Sequence, residues 1–192
     1  MDPSSSKASR ARRMLALLSA LALSVACPAI AADPDALLEL VVERNALGDQ
    51  VALSKWDSGR PVLDPVRETE VLRHVRTEAA ARGLDADTAA NFFAAQIEAN
   101  KLVQYQLLQA WRASGRAPSG ARPDLAVLRA HLDRLQDQLL MALARDAPLR
   151  TAPDCASTLS VRLDTYAAVH RLDTLHRTAL VRGLGDFCAG SR

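Results

Sequence analysis

Charged and polar residues interrupt the apolar stripes of three predicted helices. Arg44 and Lys55 are 11 residues apart, about three helical turns, so both side chains lie on the same face of one helix. Two other helices carry polar residues on apolar stripes of the same alternating four- and three-residue repeat: Asn100 and Gln104, then Arg129 and Gln136. Burying such groups costs several kcal/mol unless something pairs with them. The surplus of cations on these stripes predicts a pocket for an anionic ligand.

Each of these residues also has a simpler interpretation when it is taken alone. Arg44 could extend to solvent or pair with a protein carboxylate such as Glu98. Asp64, Arg67 and Glu68 place carboxylates beside a cation at helical spacing, which also fits a solvated helix start. Because polar residues interrupt the apolar stripes of three helices in the same pattern, we favour a shared ligand pocket over a separate explanation for each residue.

Composition and length favour one all-helical domain. A chain of 192 residues has room for one ordinary core. Hydrophobic residues make up 49% of the chain and aromatic residues only 4%, while Ala, Leu and Arg are abundant. This balance favours helices over sheets. We expect a single-domain helical bundle of about six helices.

Apolar periodicity and capping signals locate these helices. They predict helices over residues 34–55, 64–82, 87–114 and 124–145, and a helical region over 154–182 with a candidate break near His170. Gly83 and the Gly/Pro-rich segments 58–61 and 114–123 separate the first four.

Residues 1–32 are typical of a cleavable secretory signal peptide. A basic stretch ends at Arg13, an apolar run covers 14–26, and residues 29–31 form a small-x-small cleavage site. The apolar run is too short to span a bilayer. The alternatives are a buried N-terminal helix and lipid attachment at Cys27. We expect residues 33–192 to form a periplasmic or secreted domain without a membrane anchor. The net charge of +2 comes from this leader, so no nucleic-acid partner is expected.

Two cysteines remain after the leader, Cys155 and Cys188. An even number of cysteines in an oxidising compartment favours a disulfide, and a free buried pair is the alternative. A bridge across such a loop would stabilise the fold by about 3–4 kcal/mol. The sequence has no HExxH or CxxC spacing and no Gly-rich phosphate loop, so we expect no metal or nucleotide.

The order and spacing of the polar residues resemble the AroQ-type, all-helical chorismate mutases, and among them the secreted (gamma) class. Six residues carry the resemblance, namely Arg44, Lys55, Asp64, Arg67, Asn100 and Gln104. Segment 60–68 looks like the loop into the second helix of that family. Arg129 shortly after Asp124-Leu125, and the Cys155/Cys188 pair, are similar to features of the secreted class. The resemblance covers nearly all of residues 35–188.

The resemblance implies rearrangement of chorismate to prephenate without a cofactor. Lys55 and Gln104 would be the catalytic donors to the ether oxygen. Substrate carboxylates would bind Arg44, Arg129, Arg67 and Asn100, and the ring hydroxyl would bind Asp64 and Glu68. Asn100 departs from the hydroxyl residue common at its position, and Gln104 replaces the glutamate of some relatives.

The resemblance also implies a homodimer in which each pocket is complete within one chain, because Arg129 follows the linker of the same chain. Two other functions stay open. Isochorismate pyruvate-lyase shares the fold and the cations, whereas a non-catalytic exported helical binding protein would leave the cations in the apolar stripes unexplained.

Overall fold

A computed structural model describes residues 32–120, 122 and 124–188, and the expected leader lies outside this part. Within it the chain forms seven helices and no strand: α1 Pro34–Ser58, α2 Pro65–Ala81, α3 Ala86–Ser114, α4 Leu125–Arg145, α5 Ala147–Arg150, α6 Cys155–Val169 and α7 Thr174–Leu184. The expected all-α architecture is confirmed. None of the helices in this part is long and apolar enough to cross a membrane.

Aspartates define where most of the helices begin. Five of them accept a hydrogen bond from a backbone N–H in the first helical turn: Asp33, Asp64, Asp85, Asp124 and Asp173. Gly59 and Gly115 end α1 and α3 with φ of 68° and 72°, a left-handed conformation that favours glycine. These signals are local, which is why the predicted boundaries agree closely with the structure.

The C-terminal third differs from the prediction in one respect. The single turn α5 was not predicted, because four residues are too few for an apolar period to show. The break near His170 is confirmed, since α6 ends at Val169 and Arg171 adopts φ of 52° before Asp173 caps α7.

The long helix α3 is central and packs against α1, α2 and α7. The largest core cluster includes the buried rings of Phe92, Phe93 and Phe187. Helices α1 and α4 pack antiparallel. The backbone N–H of Asp33 donates to Asp146 Oδ1 over 3.0 Å, and further along Glu43 Oε1 lies 2.7 Å from His131 Nε2.

A disulfide joins Cys155, at the start of α6, to Cys188 after α7. This pairing was expected, and the structure confirms it. Arg150 reinforces the same end of the bundle, since its Nε donates to the Phe187 carbonyl oxygen over 2.9 Å and its guanidinium lies 5.8 Å from the centre of the Phe187 ring. The C-terminal helices are therefore tied together covalently and by a buried arginine.

His176 connects α7 to α1. Its Nε2 lies 3.2 Å from Asp49 Oδ1, and its Nδ1 lies 2.9 Å from Asp173 Oδ1. The hydrogen bond to Asp49, followed by the bond to Asp173, raises the pKa of His176 to about 9 despite partial burial. His176 is therefore protonated at neutral pH and links the two helices as a cation.

Replacing His176 by glutamine should remove a pH-dependent part of the stability. A histidine whose pKa is raised by folding stabilises the native state fully below its unfolded pKa of about 6.5, and this contribution disappears as pH rises through about 9. The cluster is partly solvated, so we expect a loss of about 1–2 kcal/mol of unfolding free energy at acidic pH and almost none above the raised pKa. Urea unfolding at an acidic pH and at a pH above about 9 measures this difference in unfolding free energy. Asp49→Asn serves as a second variant. An equal loss at both values would contradict the prediction.

Candidate active site

A cavity of about 500 Å³ lies between α1, α2, α3 and α4. This volume suits a small organic ligand. All eight residues that the sequence singled out as site residues line it: Arg44, Lys55, Asp64, Arg67, Glu68, Asn100, Gln104 and Arg129. The helical stripes therefore converge on one space, as the sequence predicted.

Arg44 is a buried cation without a complete set of partners. Its side chain is 6% exposed, and its Nε makes no hydrogen bond within the described part of the chain. Burial lowers its pKa to about 10, and nearby Asp133 partly opposes this shift. Arg44 thus stays protonated at neutral pH. Pairing with Glu98, considered from the sequence, does not occur, because Glu98 binds Lys101 over 2.7 Å.

The amides of α3 fix the contact between α3 and α1. Asn100 Nδ2 donates to the Arg44 carbonyl oxygen over 3.0 Å, and Gln104 Nε2 donates to Asn100 Oδ1 over 2.7 Å. The helices approach closely here, since a Cβ on Gly48 would meet Asn100 Nδ2 at 3.1 Å. Gln104 Oε1 is buried without a partner in the described residues. One N–H of the Gln104 amide is in use and the other is free.

Lys55 lies in the last turn of α1, next to the loop that leads to α2. Its Nζ donates to the Val62 carbonyl oxygen over 2.8 Å. Burial is the largest cause that lowers the pKa of Lys55, and the charges of Asp64 and Glu68 oppose it. An ammonium group carries three hydrogens, so two remain for a ligand in the cavity.

The start of α2 holds two carboxylates by hydrogen bonds to backbone N–H groups. Asp64 Oδ1 accepts from the Arg67 backbone N–H over 3.1 Å, and the Asp64 N–H donates to Glu68 Oε1 over 3.4 Å. Glu68 Oε2 also lies 3.1 Å from Lys101 Nζ. The helix-start interpretation is therefore correct for Asp64, although both carboxylates line the cavity as well.

The arginines of the site differ in how they are paired. Arg67 Nη2 lies 2.9 Å from Asp133 Oδ1, and its Nη1 lies 3.7 Å from Glu70. Neither Arg44 nor Arg129 has a carboxylate within 4.0 Å in the described residues. A ligand anion would therefore meet the unpaired guanidinium groups of Arg44 and Arg129, and that of Arg67, which already has a partner.

Comparison with known proteins identifies the family. A family model described as chorismate mutase type II matches residues 30–105. The crystal structure of chorismate mutase from Burkholderia phymatum is 43% identical and superposes with a TM-score of 0.78, covering 81% of this chain and 98% of that one. The chain belongs to the chorismate mutase family. The fold and family expected from the sequence are confirmed.

Two further chorismate mutases are described as secreted. The protein from Mycolicibacterium smegmatis is 29% identical, and the match covers 79% of this chain and 84% of that relative. The protein from Mycobacterium tuberculosis is 26% identical over 79% of this chain and 76% of that relative. Neither the lyase nor the binding-protein alternative is supported by the names of these relatives.

Several polar cavity residues of this chorismate mutase were not proposed as site residues from the sequence, among them Lys101, Asp133 and Gln136. The Lys101 side chain is 12% exposed and contacts both Glu68 and Glu98. Asp133 and Lys101 were missed because their partners are far away in the chain. Gln136 had a signal, since it interrupts the apolar stripe of α4. No group of residues suited to a metal ion occurs in the described part of the chain.

Proposed function

We propose that this chorismate mutase converts chorismate to prephenate by a pericyclic rearrangement in which the ether C–O bond breaks while a C–C bond forms. The observation that carries the proposal is one cavity in which the unpaired guanidinium groups of buried Arg44 and exposed Arg129 converge with Lys55 and amide donors. Chorismate is a dianion, and negative charge accumulates on its ether oxygen in the transition state. Such a reaction requires orientation and electrostatic stabilisation rather than a nucleophile.

Arg44 and Arg129 are proposed to bind the two carboxylates. A guanidinium group binds a carboxylate with two parallel hydrogen bonds, which fixes orientation as well as position. The unpartnered Nε of Arg44 supports this role. Arg67 would reinforce the clamp by exchanging Asp133 for substrate, and Asn100 would add a contact to a carboxylate.

Lys55 and Gln104 are proposed as the donors to the ether oxygen. Each is held by one contact to protein, Lys55 by the Val62 carbonyl and Gln104 by Asn100 Oδ1, and each keeps at least one free hydrogen. Donors fixed in advance stabilise developing charge without reorganisation. Asp64 and Glu68, positioned by these hydrogen bonds at the start of α2, would accept the hydrogen bond of the ring hydroxyl.

We also propose that residues 1–32 are a signal peptide and that residues 33–192 function as an exported homodimer. The basic and apolar regions of the leader, the secreted relatives and the disulfide support export. Arg44 and Arg129 of the same chain line the same cavity, which supports a pocket that needs no residue from a partner.

The test is incubation of the purified, disulfide-bonded protein with chorismate, with the product identified by mass spectrometry. We expect prephenate from the wild type and a large loss of activity in Arg129→Ala. Arg134→Ala is the matched control, because Arg134 lies on the exposed side of α4. Intact chorismate in the presence of a folded helical protein would contradict the proposal. Release of pyruvate from isochorismate would then support the lyase.

Gln104 should make turnover insensitive to pH at this position. A glutamine amide donates a hydrogen bond at any ordinary pH, so we expect no activity loss from this site between about pH 5 and 8. In Gln104→Glu, burial should raise the pKa of the new carboxyl, which donates only when protonated, so activity should fall as pH rises. The pH profile of kcat/KM measures both. A steep wild-type loss over this range that a Gln104 substitution abolishes would contradict the prediction.

A further inference from the structure

Gln136 is a largely buried residue whose amide lies on the cavity wall. The residue is 4% exposed, its side chain lines the cavity, and it makes no hydrogen bond to the described residues. Leucines precede and follow it on the same stripe of α4, at positions 132 and 139. Leucine at position 136 would complete this apolar stripe, whereas an amide there gains a hydrogen bond only from a group in the cavity.

The pairing of α1 with α4 places Gln136 near Arg44. The helices run antiparallel, and the contacts between Asp33 and Asp146 and between Glu43 and His131 set their register. This register brings Arg44 level with the middle of α4. Asp133 in that part of α4 is near enough for its negative charge to raise the pKa of Arg44. Gln136 lies one turn beyond Asp133 on the same face, toward the buried end of the helix.

The cavity therefore has two different ends along α4. Arg129 lies at the exposed end, whereas Gln136 and Arg44 are both buried. A carboxylate has two oxygens and accepts about four hydrogen bonds, so one bound by a guanidinium group still accepts from another donor. A neutral amide supplies this donor without adding charge to a site that already holds several cations.

We infer that Gln136 is a substrate-binding residue whose Nε2 donates to the carboxylate held by Arg44. The inference rests on the proposed mutase function and adds a recognition contact to it. Because this carboxylate does not take part in bond making, the contact strengthens substrate and transition-state binding alike. Its loss should therefore raise KM more than it lowers kcat.

Steady-state kinetics of Gln136→Leu and Gln136→Glu test the inference. We expect Gln136→Leu to lower kcat/KM by about 10- to 100-fold, mainly through KM, with a melting temperature equal to or above that of the wild type. Gln136→Glu should lose more, because its carboxylate repels the substrate. Gln138→Leu is the matched control, since Gln138 is exposed on the same helix, and it should resemble the wild type.

Three results would overturn the inference. One is a Gln136→Leu variant within about twofold of the wild type in kcat/KM. Another is a loss of activity that only follows a fall in melting temperature. If the wild type itself forms no prephenate, the proposed function fails and this inference fails with it. If the wild type is active and Gln136→Leu is unaffected, the role of Gln136 is rejected and the proposed function stands.

Discussion

Replacing Lys55 with methionine should lower kcat by about 10²- to 10³-fold, the typical loss when one preorganised donor to a developing anion is removed. Methionine keeps most of the length of the side chain and removes its charge and its three donor hydrogens. In the wild type the Lys55 Nζ is fixed by the Val62 carbonyl and surrounded by the cavity, so its remaining hydrogens are oriented before substrate arrives. Initial rates of chorismate consumption at saturating substrate measure the effect.

The Lys55 prediction separates transition-state stabilisation from binding. An interaction made mainly in the transition state lowers kcat and kcat/KM together, so KM should change little. Because Lys55 also anchors the loop through Val62, circular dichroism and thermal melting must show that Lys55→Met is folded. A folded variant with kcat within about threefold of the wild type would exclude Lys55 as a donor to the ether oxygen.

The polar residues on helical stripes were predictable because their signal is local. An α-helix repeats every 3.6 residues, so a charge at an apolar position is visible in the sequence, and Arg44, Asn100 and Gln104 are all buried as expected. Helix boundaries were predictable for the same reason, because a capping aspartate bonds to an amide in its own first turn. The disulfide was predictable from the even number of cysteines after the leader and the expected oxidising compartment.

The partners of the charged residues were not predictable, because they depend on contacts between distant segments. Arg67 and Asp133 are 66 residues apart, and Lys101 and Glu68 are 33 apart. No periodicity encodes such pairs, since helix packing decides which side chains meet. For this reason the sequence could not distinguish Arg67, which pairs with Asp133, from Arg44, which pairs with no carboxylate in the described part of the chain.

Replacing Arg44 with methionine should lower kcat/KM by about 10³-fold while leaving the unfolding free energy unchanged or about 1 kcal/mol higher. The loss of activity follows from removing a bidentate carboxylate donor. The unfolding free energy should not fall, because Arg44 is a desolvated cation with a lowered pKa and an unpartnered Nε. The contact from Asn100 to the Arg44 backbone survives the substitution, so α1 and α3 stay in register. Enzyme kinetics and urea unfolding measure the two effects.

Arg150 provides the control for Arg44, because it is also a buried arginine but its Nε donates to the Phe187 carbonyl. Arg150→Met should leave that carbonyl without its donor and lower the unfolding free energy by about 1–3 kcal/mol, with kcat/KM of the folded protein unchanged. The two substitutions thus change activity and stability in opposite ways. If Arg44→Met instead behaved like Arg150→Met, the buried cation at position 44 would serve the fold rather than the substrate. The opposite responses expected here follow from one structural difference: the Nε of Arg150 has a partner among the described residues, whereas the Nε of Arg44 has none.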